Sequence, residues 1–308
     1  MSDAAKEYDV IIIGGGPGGL SAAIYTARSR LKSLLIERGV TGGQIINAEL
    51  VENYPGFPEG ISGFDLTQAM HQQATRFGLE TVTAEVSGVE LDGERKVVRT
   101  TGGDFSARAL IIASGSERQK LGVPGEGEFT GKGVSYCATC DGAFFRDKPV
   151  AVVGGGNAAI TEALQLTKFA SRVVVIHRRH ELRATRIMQE RAFAEPKIEF
   201  LWDTVVSEVK GEGFVNQLKL RNAVTGQESV LEVSGVFASV GFKPNTGYLK
   251  GLLPLDATGA IIANDRMETG VPGIFAVGDI RASSIRQVIS AAGDGATAAV
   301  GAEKYLAG

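Results

Sequence analysis

The residues best suited to covalent chemistry are the chain's only two cysteines, Cys137 and Cys140, in the run Cys-Ala-Thr-Cys-Asp. Two thiols separated by two residues can close and reopen a disulfide, and a lone pair of this kind reads as a redox dithiol. It supplies only half of a four-ligand zinc site, and none of His71, His177 and His180 lies at a short ligand spacing, so no metal is expected. As a structural staple it would be unusual in a reducing compartment. A dithiol that turns over needs a source of electrons, and the rest of the chain points to one.

Residues 10–38 read VIIIGGGPGGLSAAIYTARSRLKSLLIER, and residues 150–178 read VAVVGGGNAAITEALQLTKFASRVVVIHR. Each is an apolar β-branched run, a glycine turn, a small-residue helix pattern and a second apolar run. Each is therefore a βαβ unit with a G-x-G-x-x-G/A fingerprint: Gly14, Gly16 and Gly19, then Gly154, Gly156 and Ala159. Such glycines make a tight turn, let a pyrophosphate approach backbone N–H groups at the helix start, and let helix and strand pack closely. Pro17 opens the first helix, and Asn157 with Ala158 opens the second. Two aligned copies imply two dinucleotides.

The copies differ where the second strand ends. The first has Glu37, followed by Arg38; a carboxylate there hydrogen-bonds a ribose 2′-hydroxyl. The second has His177, followed by Arg178, Arg179 and, slightly further on, Arg183. A carboxylate would repel a 2′-phosphate, whereas guanidinium forks bind one through charge-assisted hydrogen bonds. The first site is thus expected to take a dinucleotide with a free ribose, such as FAD, and the second NADPH.

Composition sets the outer bounds. With 308 residues, 44% apolar, and a formal charge of −3, the chain is expected to be globular, with about two domains. No apolar stretch approaches the roughly 20 residues of a membrane span. The opening MSDAAKEYD is polar and acidic, unlike a secretory signal, so a cytoplasmic location is expected. A pI near 5.8 argues against nucleic acid as a main partner.

The pattern along the chain divides in the same way. A glycine-rich loop follows the first βαβ unit, then a helix pattern near 63–77 and short strands over about 79–113. The runs ALIIASG, VFASVG and IFAVGD are parallel strand endings, and a long small-residue helix pattern covers about 285–305, with its start near 283–287. The expected fold class is α/β, with two Rossmann-like, three-layer ββα nucleotide-binding domains, the second inserted into the first. Residues 1–115 and 248–308 form the expected FAD domain, and 118–244 the NADPH domain carrying the CxxC. Short polar links, SERQK and FKPNTG, join them.

The order GGGPGG, TGGQ, EN-P-G, A-S-G, CATCDG, GGGNAA, HRR-x-x-x-R, GD and RQ resembles the low-molecular-weight, bacterial-type thioredoxin reductases over essentially the whole chain. CATCDG, just ahead of the second nucleotide strand, is its most specific element. Glutathione- and lipoamide-type disulfide reductases carry their cysteines after the first nucleotide unit, where this chain has Gly42-Gly43-Gln44. The resemblance implies that Cys140 faces the flavin, that Cys137 attacks the partner disulfide, and that Asp141 moves protons during exchange. It also implies FAD contacts at Gly43, Gln44, Asn53, Ser114, Gly115, Gly278, Asp279, Arg286, Gln287 and Val288. Thioredoxin is the implied partner and a homodimer the implied assembly. Two departures stand out. Ser114 replaces the family's usual threonine in A-T-G, and Thr161-Glu162 replaces a usual pair of acids, which is expected to weaken NADPH binding. Two other readings fit a flavin and a dithiol: a disulfide reductase fed by another donor such as ferredoxin, and a non-enzymatic redox sensor.

Overall fold

The structure is a computed structural model and describes residues 5–48, 50–249 and 251–308. The chain falls into two compact units, one of residues up to 117 together with 243–308, the other of residues 118–242. The first stretch runs β1 (Lys6–Ile13), α1 (Pro17–Arg28), β2 (Ser33–Glu37), α2 (Gly63–Arg76), β3 (Glu80–Thr83), β4 (Val86–Asp92), β5 (Arg95–Thr100) and β6 (Gly103–Ile112), then β7 (Ser116–Arg118) at the crossing. The second unit runs β8 (Val134–Ser135), α3 (Ala138–Asp141), β9 (Pro149–Val153), α4 (Asn157–Leu166), β10 (Arg172–Ile176), α5 (Arg186–Ala194) and β11 (Ile198–Leu201). It ends with β12 (Thr204–Glu212), β13 (Phe214–Asn222), β14 (Glu228–Glu232) and β15 (Gly235–Ala238). The chain then returns through β16 (Phe242–Pro244) to β17 (Ile274–Ala276) and α6 (Val288–Ala307).

In the first unit, β3, β2, β1, β6 and β17 form a parallel sheet, and β4 and β5 add an antiparallel meander to β6. A strand covered on both faces must be apolar at every position, which is why VIII and ALII are unbroken runs. Side chains alternate between the faces. Val10 and Ile12 pack toward α1, α2 and α6, while Ile11 and Ile13 pack toward the meander residues Val89 and Val98. That makes three layers, helix on sheet on meander. Each of these aliphatic side chains stabilises the unit by about 1.5–3 kcal/mol.

The second unit repeats the plan. Its parallel sheet runs β11-β10-β9-β15-β8, with β12-β13-β14 as the antiparallel layer. Val150 and Val152 face Ile160 and Leu166 of α4, and Ala151 and Val153 face Val206 and Leu220. The fold class is α/β, with two Rossmann-like sheets.

One local detail differs from the sequence expectation. The last helix starts at Val288, not near 283–287: Arg286 has a left-handed φ of 55° and Gln287 is extended, so neither can sit in a helix. Within the short polar links, β7 and β16 pair as a two-stranded ribbon.

Candidate functional site

Each unit builds the same turn from its first strand. Gly14 and Gly154 take φ of 105° and 151°, and a Cβ on either would meet a backbone oxygen of the neighbouring strand's end, Ala113 O at 2.4 Å or Ser239 O at 2.3 Å. The second residue of each turn offers its carbonyl to the loop beyond the second strand: Gly42 N donates to Gly15 O at 2.8 Å, and Arg183 N to Gly155 O at 2.7 Å. The helices α1 and α4 then follow, with Gly16 and Gly156 in the N-cap positions and no side-chain cap on either. Uncapped helix starts leave N–H donors and the positive end of the helix dipole facing outward. A pyrophosphate fits each cradle, because a Cβ would meet nothing within 4 Å at Gly156 and only ordinary contact with Gly43 Cα at 3.8 Å at Gly16.

The end of the second strand distinguishes the two. Glu37 lies beside the first turn, its Oε2 accepting from Gly15 N at 2.7 Å and its Oε1 from Gly39 N at 3.1 Å. Each oxygen keeps a lone pair for a ribose hydroxyl. The matching His177 lies so close under Gly155 that a Cβ there would come within 2.6 Å of three ring atoms. His177 is buried, because its ring packs beneath the turn and edge-on to Trp202. Burial foremost, then the nearby Arg183 charge, holds its imidazole below the usual value of 6.5. Arg178, Arg179 and Arg183 are all exposed, and none has an ion-pair partner among the described residues. Three unpaired guanidinium groups in this place fit a 2′-phosphate. Asn157 accepts from Thr185 N at 2.8 Å and so holds the loop that carries them, while Ala158 lies half-buried in the first turn of α4.

The flavin-side expectations are brought together in part. Asn53 Nδ2 donates to Gln287 Oε1 at 2.9 Å, and Gln44 Nε2 donates to Ser116 O. Gly43 lies against the fingerprint, where a Cβ would come within 3.1 Å of Gly16 Cα. Pro17 occupies the first turn of α1, and Val288 is the first helical residue after the Gln287 cap. Ser114 shares a 3.0 Å hydrogen bond with the Tyr248 hydroxyl, and Asn245 Nδ2 donates to Ser114 O at 2.9 Å; Gly115 takes a φ of 60°. Arg38 is exposed. Asp279 is half-buried, and burial raises its carboxyl above the ordinary range, with the Arg286 charge opposing.

Two supporting ion pairs have no sign in the sequence, although Glu162 of the second stands out there beside Thr161. Asp294 of α6 accepts from Gly278 N at 3.0 Å and from Arg281 Nε and Nη2 at 3.0 and 3.1 Å, tying the Gly278–Asp279 turn to the helix. In the second unit, Glu162 is buried and pairs with Arg118, and its Oε2 has no hydrogen-bond partner among the described residues. Burial raises its carboxyl, with the Arg118 charge opposing. Neither pair has a signature spacing.

Cys137 and Cys140 form a disulfide, with their Cα atoms 5.3 Å apart. Cys137 is half-buried and caps α3, its Sγ accepting from Cys140 N at 3.2 Å; Cys140 is exposed. Asp141 closes the same turn, and Ser135 Oγ donates to its Oδ2 at 2.7 Å. A disulfide, a carboxylate beside it and two glycine turns that fit pyrophosphates are the parts a pyridine nucleotide-driven disulfide reductase requires. A family model for the pyridine nucleotide-disulphide oxidoreductases matches residues 8–295. The chain belongs to that family. It is 50% identical over 303 residues to the thioredoxin reductase of Bacillus subtilis, covering 98% of this chain and 95% of that one. The thioredoxin reductase of Lactococcus lactis, solved in its FR conformation, is 46% identical with a TM-score of 0.95, covering 97% of this chain and 99% of that one. That of T. acidophilum is 33% identical with a TM-score of 0.92, covering 97% and 98%. Among the described residues no cluster of His, Cys, Asp and Glu could hold a metal, and no helix is long and apolar enough to cross a membrane.

Proposed function

We propose that the chain is an NADPH-dependent thioredoxin-disulfide reductase, in which the first unit holds FAD, the second holds NADPH, and Cys137–Cys140 carries the electrons out. The observation that supports this most is the disulfide itself, formed on the unit whose second strand ends in three unpaired guanidinium groups. Bound flavin and nicotinamide supply two-electron transfer toward that disulfide.

The chain's own residues do the rest. Gly14, Gly16, Gly19 and the start of α1 receive the FAD pyrophosphate; Glu37 orients its ribose, and Asp279 accepts from a hydroxyl nearby. Gly154, Gly156 and the start of α4 receive the NADPH pyrophosphate, and Arg178, Arg179 and Arg183 select the phosphorylated ribose. Once the pair is reduced, the Cys140 N–H bond to Cys137 Sγ favours a thiolate on Cys137, which supports Cys137 as the attacking sulfur. Asp141 takes and returns the protons that exchange requires. Thioredoxin, with its exposed disulfide, is the partner; we take the assembly as a homodimer and the compartment as the cytoplasm.

Anaerobic titration tests the reading. NADPH should bleach the flavin absorbance, and thioredoxin should restore it. Cys137→Ser should keep the bleaching and lose thioredoxin turnover. If NADPH leaves the flavin oxidised, the electron donor is another; if turnover survives without both thiols, the exit route is wrong.

A further inference from the structure

We propose that Ser135 is a positioning residue for disulfide exchange. Its hydroxyl holds one oxygen of Asp141 and the backbone of Cys137, leaving the other carboxylate oxygen to carry the exchange proton. This rests on the reading above, in which Asp141 is the proton carrier.

Exchange moves two electrons and two protons. The Cys137 thiolate attacks one sulfur of the partner disulfide, forming a mixed disulfide and releasing a partner thiolate, which takes a proton. The Cys140 thiolate then attacks Cys137 sulfur, which re-forms Cys137–Cys140 and releases the second partner thiolate, which takes the other. A carboxylate that serves both steps must be held at a fixed place relative to both sulfurs, and with one oxygen open.

Ser135 meets both needs. It is buried at the end of β8, opposite Phe237 of β15, and so is part of the parallel sheet. Its Oγ accepts from Cys137 N at 3.1 Å and lies 2.7 Å from Asp141 Oδ2. It also lies 3.4 Å from Cys137 O, but a hydroxyl has one proton, and the shorter bond to a charged acceptor takes it. The result is a chain from Cys137 N–H through the Ser135 hydroxyl to Asp141 Oδ2. Asp141 Oδ1 has no hydrogen-bond partner among the described residues. The turn is fixed from the other side as well. Tyr136 donates to the buried Glu126 at 2.7 Å, and Glu126 also accepts from Leu121 N and Gly122 N. With the two residues before Cys137 pinned to the sheet and loop, the motif cannot drift when its disulfide opens.

The test uses the flavin- and NADPH-supplied enzyme with thioredoxin, in the variants Ser135→Ala, Asp141→Asn and the double. Ser135→Ala should lower kcat about tenfold with an unchanged KM for thioredoxin and an unchanged rate of flavin bleaching by NADPH. Ser135→Thr, which keeps the hydroxyl, should regain most of the loss, and Ser135→Val, of the same size, should not. This pair carries the test if the alanine variant does not fold. The penalty should vanish in the Asp141→Asn background, which a merely loosened turn would not allow. A Ser135→Ala enzyme at the parent rate, or a tenfold penalty that persists without the carboxylate, overturns the proposal while leaving Asp141 in its role. Parent-rate turnover by Asp141→Asn overturns that role, and the proposal with it.

Discussion

Replacing Asp294 with alanine should destabilise the first unit by about 3 kcal/mol, the lower end of what stranding a buried charge costs. The magnitude comes from the environment of the pair. An exposed ion pair contributes at most about 1 kcal/mol. Here the Arg281 and Asp294 side chains are only 11% and 12% exposed, and the contact is bidentate. The alanine leaves a guanidinium nearly enclosed without its carboxylate, and leaves Gly278 N–H without an acceptor. The residual exposure lets water soften the loss, which places the estimate low in the range. Removing both partners, as Arg281→Ala with Asp294→Ala, takes the stranded charge away. The cost should then fall to about 1–2 kcal/mol, roughly that of the orphaned N–H. Because Gly278 N–H anchors the turn that carries Asp279, the single variant should also lose flavin more readily on dilution. Urea unfolding followed by circular dichroism and flavin fluorescence measures both. A single variant within 1 kcal/mol of the parent, or a double no more stable than the single, would refute the reasoning.

Gly19→Ala should cost about 1–3 kcal/mol and weaken flavin retention, because the added Cβ meets Gly14 O at 1.9 Å and only the backbone can give way. The reverse change in the other unit, Ala159→Gly, should cost about 2 kcal/mol, the helix penalty plus that of a fully buried methyl, as thermal melts of both variants would show. Acid should weaken the second unit through His177. Its folded value is lowered below 6.5, so its stabilising share is complete above 6.5 and is lost as pH falls through the lower folded value. His177→Gln should flatten that slope in urea midpoints measured on either side of 6.5; an equal slope in parent and variant would assign the acid sensitivity elsewhere.

The nucleotide cradles were legible in the linear chain because each is local. A strand, a glycine turn and a helix start lie within about 20 residues, and their geometry follows from φ, from the missing Cβ and from the helix dipole. The pairing of Cys137 with Cys140 is local too, three positions apart. The contrast between Glu37 and His177 with its arginines was legible because it falls at one position of a repeat. The supporting contacts were not. Ser114 meets Asn245 and Tyr248 across more than 130 positions, and Asn53 meets Gln287 across 234. No periodicity encodes a contact that forms only when strands from both ends of the chain enter one sheet. The burial of His177 and Glu162 is likewise a property of packing, since glutamate by type favours the surface and histidine is found in either place. Sequence by itself determined which chemistry the chain carries and where each cradle begins. Tertiary structure decided which side chains hold those pieces in register, because hydrogen bonds act over about 3 Å of space with no regard for distance along the chain.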